Sequence, residues 1–189
     1  MKIGITGHSA QVNSVAISFD GATIVSGSKD KTIKIWDLAT GKLLHTLTGH
    51  SDEVNSIAIS SDGKTIVSGS RDKTIKIWDI TTGKLLHTLT GDSNEVVLVA
   101  ISLNNKTIFS VSVDRLFRDK IIKICDLDTG QLQRTTTYSN IFNNVNVVAI
   151  SPDGKLILGG TSGKIITGRI SEDTIKIGSS VCVMQGAGL

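Results

Sequence analysis

Apolar and polar residues trade places along this chain in short bursts, each the length of a strand. Val54–Ser60 alternates and stops at Ser61-Asp62-Gly63, an Asp-Gly hairpin signal. Thr65–Ser70 follows, then a tight turn at Arg71-Asp72-Lys73, then Thr74–Asp79. Thr82-Gly83 turns the chain once more into Leu85–Thr90. No stretch carries the 3.6-residue period of an amphipathic helix. Ile, Val and Thr are abundant, and their branched side chains suit a pleated, half-buried surface. The pattern predicts an all-β chain of short antiparallel strands.

That pattern recurs. Residues 7–48 laid over 49–90 give 34 identities in 42 positions. A third unit, 91–137, aligns once five extra residues are allowed within Val113 to Asp119, and a fourth, 138–170, fades after NVVAISPDGK. Asn104-Asn105 replaces Asp-Gly in the third unit, and Asn also tolerates positive φ. Residues 171–189 hold DTIKI (173–177), an echo of a third strand, and then a tail that fits nothing. A four-stranded unit cannot cover both of its own faces, so the units are expected to stack on one another.

Composition narrows the function classes. At 39% hydrophobic and 20% charged, with mean hydropathy +0.13, the 189 residues have enough apolar material for a packed core. The longest apolar run, Val96–Ile101, is far short of the ~20 residues a membrane helix needs. MKIGITGHSA has no apolar stretch after its Lys, so no secretory leader is expected. Cys125 and Cys182 lack metal-ligand spacing, so the expectation is a cytoplasmic chain without a disulfide framework. A net charge of +3 and seven aromatic side chains (four Phe, two Trp, one Tyr) offer nucleic acid neither a strong field nor a stacking platform.

Gly7-His8, Trp36-Asp37, Gly49-His50 and Trp78-Asp79, at this spacing, resemble the WD-repeat β-propeller family. The resemblance covers roughly residues 2 to 170. It implies a β-propeller of four-stranded antiparallel blades, with the repeat offset from the blade. It also implies a hydrogen-bonded relay of His8, Ser26, Asp30 and Trp36, repeated as His50, Ser68, Asp72 and Trp78. The physical logic stands alone: buried His and Asp are costly unless bonded together, Ser can give and receive, and an indole N–H ends the chain. A catalytic Ser-His-Asp set stands once at an exposed site, whereas this one recurs beside a Trp. Its expected role is structural. His45 and His87 are expected on outer strands facing solvent, and the Lys-Thr-Ile-Lys stretches as solvent-facing charges guarding strand edges.

The later units depart from the pattern. Asp92 and Cys125 stand at the His and Trp positions of the third, where Ser110 remains and Asp114 or Asp119 could take the turn. In the fourth, the Ser, Asp and Trp positions read Gly159, Gly163 and Arg169. Stability is therefore expected to decline toward the C-terminus. The insertion carries Arg115-Leu116-Phe117-Arg118, either a solvated loop or a contact loop.

At this period the chain holds about 4.5 units, against about four to eight blades for a propeller. An open or imperfectly closed arc of about four blades is expected, with self-association as a consequence. Lys2–Thr6 and Asp173–Ile177 compete as the closing strand. No phosphate loop, zinc spacing or isolated carboxylate pair marks an enzyme or calls for a cofactor. The resemblance implies a protein-interaction scaffold, or else a regulatory module of a larger signalling protein. Its partner-binding face would hold Asn13, Lys29, Asn55, Arg71, Val97, Val113 and Asn146, amides and cations suited to an acidic or backbone-rich partner.

Overall fold

The computed structural model describes residues 7–90, 94–113, 120–138, 147–150, 156–161, 164–170 and 175–180. Among these, every regular element is a strand, and the strands form four antiparallel sheets of four. The first holds β1 (Val12–Ile17), β2 (Thr23–Ser28), β3 (Ile33–Asp37) and β4 (Leu43–Leu47). The second holds β5 (Val54–Ile59), β6 (Thr65–Ser70), β7 (Ile75–Asp79) and β8 (Leu85–Leu89). The third runs β9 (Glu95–Ile101), β10 (Thr107–Val113), β11 (Lys120–Asp126) and β12 (Leu132–Tyr138). The fourth runs β13 (Val147–Ile150), β14 (Leu156–Thr161), β15 (Lys164–Ile170) and β16 (Ile175–Ser180). Each sheet is a meander whose strands pair in chain order.

The turns are longer than the Asp-Gly pair alone suggests. Ser60 and Thr65 close a loop in which the Ser60 carbonyl accepts the Gly63 N–H at 2.9 Å. Gly63 takes φ +70°, the left-handed conformation open to glycine. Asn105 fills the same position at φ +55°, as expected for Asn.

Register is shared by the first three sheets. Ser26 pairs with Lys34, Ser68 with Lys76 and Ser110 with Lys123. The extra residues of the third unit partly lengthen this hairpin, which continues through Ser112–Ile121 and Val113–Lys120, and the rest fall in residues 114–119, outside the described residues. The fourth sheet slides by one: Gly159 pairs with Ile166 and Leu156 with Arg169. A one-residue slide exchanges which residues share a face, and the Ser and Trp of the first two units are missing there. Beyond residue 170 the sheet continues. Part of DTIKI lies in β16, the outermost strand of the fourth sheet rather than a third strand, and it pairs with β15.

The core lies between sheets. Val25, Ile33, Ile35, Leu47, Val54, Ile57, Ile66 and Trp78 form one buried cluster across the first and second sheets. Val67, Ile75, Ile77, Val96, Val99, Ile108, Cys125 and Leu127 repeat it across the second and third. Close approach depends on glycine. A Cβ on Gly27 would lie 2.7 Å from Val54 Cγ1, and one on Gly69 would lie 2.6 Å from Val96 Cγ1. The Asn13 amide donates to the Val54 carbonyl at 3.1 Å, and the Asn55 amide to the Val96 carbonyl at 3.0 Å. The Ile57 and Val99 N–H groups donate to Ser14 Oγ and Ser56 Oγ, each at 3.1 Å. These bonds staple the first sheet to the second and the second to the third.

The third sheet offers its successor a different face. Val97, Leu98 and Val111 replace the Asn, Ser and Gly, and they pack into an apolar cluster with Phe109, Ile122 and Ile124. Contacts between β9 and β13 join it to the fourth sheet.

Candidate functional site

Each of the first two sheets carries a closed polar chain that starts at an indole. Trp36 Nε1 donates to Ser26 Oγ at 2.9 Å, Ser26 Oγ lies 2.8 Å from His8 Nε2, and His8 Nδ1 lies 2.8 Å from Asp30 Oδ2. Trp78, Ser68, His50 and Asp72 repeat this at 2.9, 2.8 and 2.8 Å. The donors run one way when the imidazole is neutral: indole to Ser, Ser to His Nε2, His Nδ1–H to carboxylate.

Asp30 and Asp72 hold the tight turn as well. Asp72 Oδ1 accepts the Thr74 hydroxyl at 2.7 Å and its N–H at 3.0 Å, while Oδ2 also takes the Ser51 N–H at 2.9 Å. This fixes Lys73 at φ +69° and, in the first sheet, Lys31 at φ +70°. Burial pushes the Asp72 carboxyl upward, but bonds from Thr74, His50 and Ser51 outweigh it and hold it below the ordinary carboxylate range. Asp30 is held lower still, against burial, by Thr32, His8 and Ser9. Burial is also the main reason the His50 pKa falls below that of a free imidazole, despite the pull of Asp72. The histidine is kept neutral and the aspartate ionised. Each member is spent on its neighbours, with His50 and Asp72 side chains only 1% and 5% exposed.

Cys125 leaves a gap where the third indole would stand. A cavity of about 230 Å³ opens beside it, lined by Leu89, Thr90, Lys123, Gly130 and Leu132 among others. Ser110 is buried. Asp92, Asp114, Asp119 and the whole Arg115–Arg118 segment lie outside the described residues, as do Gly163 and Cys182.

The expected partner face divides. The amides of Asn13 and Asn55 do not face outward; they are half-buried and already donated to the next sheet, so they are junction residues. Val97 packs on the third core cluster, Val113 is half-buried at the end of β10, and Asn146 lies outside the described residues. Lys29 and Arg71 do reach solvent, with side chains 43% and 40% exposed. Neither is a lone cation. Lys29 Nζ lies 4.0 Å from Glu53 Oε2, and Arg71 lies 3.9 Å from Asp52, 3.4 Å from Glu53 and 3.7 Å from Glu95. The rim is a ladder of mixed charge that steps from sheet to sheet, and the acidic half of it escaped sequence reasoning. Its signal was present: Glu53 and Glu95 occupy one repeat position.

Two further expectations need correction. Lys34 and Lys76 do not face solvent. They are buried, their stems lie along the sheet, and Nζ donates to Thr46 Oγ1 and Thr88 Oγ1 at 2.9 Å. His45 is half-buried and its Nε2 donates to the Thr81 carbonyl at 3.0 Å across the junction, whereas His87 is exposed. Among the described residues, no cluster of three or more His, Cys, Asp or Glu could hold a metal ion.

Residues 2–37 and 41–79 match the family model described as WD domain, G-beta repeat. The first two units are WD40 repeats. The chain's WD40 units are similar to the small ribosomal subunit protein RACK1 of Medicago sativa, 54% identical over 43 residues, covering 23% of this chain and 13% of the relative. They are likewise similar to the pre-mRNA-splicing factor PRP46 of Yarrowia lipolytica, 58% identical over 43 residues, or 23% and 10% of the two chains. Among solved structures, the WD40 repeats of RRP9 superpose with TM-score 0.75 at 25% identity, over 93% of this chain and 54% of that one. U3-55K gives TM-score 0.74 at 26% identity, over 93% and 55%. The chain thus spans a small fraction of the curated relatives and just over half of the solved ones.

Proposed function

We propose that this WD40 chain is a protein-interaction scaffold with no catalytic activity of its own, built as an open arc of about four blades. The observation that carries this reading is the rim: Lys29 and Arg71 project at one repeat position on adjacent blades, paired with Glu53 and Glu95. Exposed ion pairs of this kind contribute about 0–1 kcal/mol each to stability, so they are available to exchange partners at little cost. The relays support the non-catalytic half, because their Ser, His and Asp are shielded and committed to structure. We divide the chain into units 7–48, 49–90 and 91–137, with the last blade carried to Ser180 because β16 completes its sheet. Two cysteines without the spacing of a disulfide framework suit a reducing compartment, and we place the chain in the cytoplasm.

The test is a charge reversal, Lys29→Glu with Arg71→Glu, which leaves Asn13 and Asn55 in place. A protein crosslinked to the native chain in cell extract should be lost from the double variant, while the thermal midpoint moves by less than about 2 °C. Retention of every crosslinked protein by the variant would reject the rim as the binding face.

A further inference from the structure

The junction between the second and third sheets repeats the one before it with a single piece missing. Between the first and second sheets, Trp78 stands in one buried cluster with Ile33 and Leu47 of the preceding sheet. One repeat on, the counterparts of Ile33 and Leu47 are Ile75 and Leu89, and that of Trp78 is Cys125. Ile75, Leu89 and Cys125 all line the cavity of about 230 Å³. So does Leu132, which pairs with Cys125 as Leu85 pairs with Trp78. The walls that grip an indole in one joint are kept in the next, and the indole is gone.

The hydrogen-bond acceptor for that indole is kept too. Trp78 Nε1 donates to Ser68 Oγ at 2.9 Å. Ser110 pairs with Lys123 as Ser68 pairs with Lys76. Cross-strand partners, and residues two apart on one strand, share a face of the sheet. Ser110 therefore stands on the face of Lys123 and Cys125, both of which line the cavity. Its residue is 1% exposed, and among the described residues no donor reaches its hydroxyl. Apolar walls around one buried polar group are the makings of a small-molecule site, because a ligand that brings both ring surface and a donor satisfies both.

We infer that the cavity beside Cys125 binds a small planar bicyclic aromatic with a ring N–H, a ligand of the indole class. Its N–H donates to Ser110 Oγ, and its ring lies between Ile75, Leu89 and Leu132. An apolar cavity of ~150 Å³ already admits benzene, so the volume here takes one ring whole, with the second ring reaching toward the mouth. The site shares no residue with the Lys29 and Arg71 rim, and the inference does not rest on the scaffold reading. It adds a small molecule that, once bound, strengthens the seam between the second and third sheets.

A ligand-observed NMR titration of the 189-residue chain tests this, with indole as the probe and indene as the same shape without the N–H. Indole should bind saturably, about one per chain, with a Kd of about 1 mM or tighter, and raise the thermal midpoint. Indene should bind about 3–10-fold more weakly. Ser110→Ala should bring indole down to the level of indene while keeping the far-UV spectrum. Cys125→Trp, which refills the recess with a ring of the chain's own, should abolish binding; uptake on the exposed leucines of the outer strands would survive that change. No saturable binding by the native chain up to about 5 mM indole, or undiminished binding by Cys125→Trp, overturns the inference. Indene binding as tightly as indole, or Ser110→Ala binding indole as tightly as the native chain, overturns it equally. Lys29→Glu with Arg71→Glu should leave the indole affinity unchanged, so the rim and the cavity stand or fall separately.

Discussion

Ser68 serves two partners at once, receiving the Trp78 N–H and turning its own proton toward His50. Removing that hydroxyl orphans two buried polar groups rather than one. Ser68→Ala should therefore cost about 2–3 kcal/mol, read as a lower urea midpoint; a loss under 0.5 kcal/mol would mean the relay is slack. Acid should undo the same chain in two stages. His50 binds its proton less readily folded than unfolded, so the stability it contributes is full above about pH 6.5 and declines as pH falls below that. Asp30 and Asp72, with carboxyls held low in the fold, add a second loss below about pH 4. Urea midpoints from pH 8 to pH 3 should fall in that order, and a flat profile between pH 7 and 5 would contradict the neutral imidazole. At this scale the relay was legible because its members recur together, 42 residues apart. Lys34 and Lys76 were not, since alternation marks them as outward and only the Thr on the neighbouring outer strand shows where the ammonium goes.

Between sheets, space rather than charge sets the terms. Gly69→Ala would drive a methyl against branched Val96 and Val99, which have little freedom to yield, at a cost of about 1–3 kcal/mol. Cys125→Trp should act in the opposite sense. Ser110 holds the register of Ser68, so it can take an indole N–H from that position, and the cavity beside Leu89 and Leu132 has room for part of the ring. A rise of about 1–2 kcal/mol is expected from the newly buried surface, measured by calorimetry; a lower midpoint would show that the junction has closed around the cysteine. Strand positions could be read from turns and repeats almost to the residue. The destination of Asn13 and Asn55 could not, because a half-buried amide at the head of a strand looks the same whether it greets solvent or a neighbouring carbonyl.

For the molecule as a whole, the sequence announced stacked sheets but not the quality of each joint. The first two junctions combine a glycine, an Asn amide and a Ser hydroxyl; the third replaces all three with Val111, Val97 and Leu98. The expected decline in stability toward the C-terminus is therefore to be tested first at the third junction, where these three groups are replaced. DTIKI departs from its expected place for a physical reason. DTIKI repeats the letters of a third strand, but strand identity is conferred by the pairing partner, and β15 is already there.

Glycine at Gly27 and Gly69 has one more result. Since the first and second junctions are chemically interchangeable, a whole 42-residue segment could be copied or deleted at the gene level without presenting the chain with any unfamiliar surface. Such a protein can lengthen or shorten by whole modules while each surviving seam still fits.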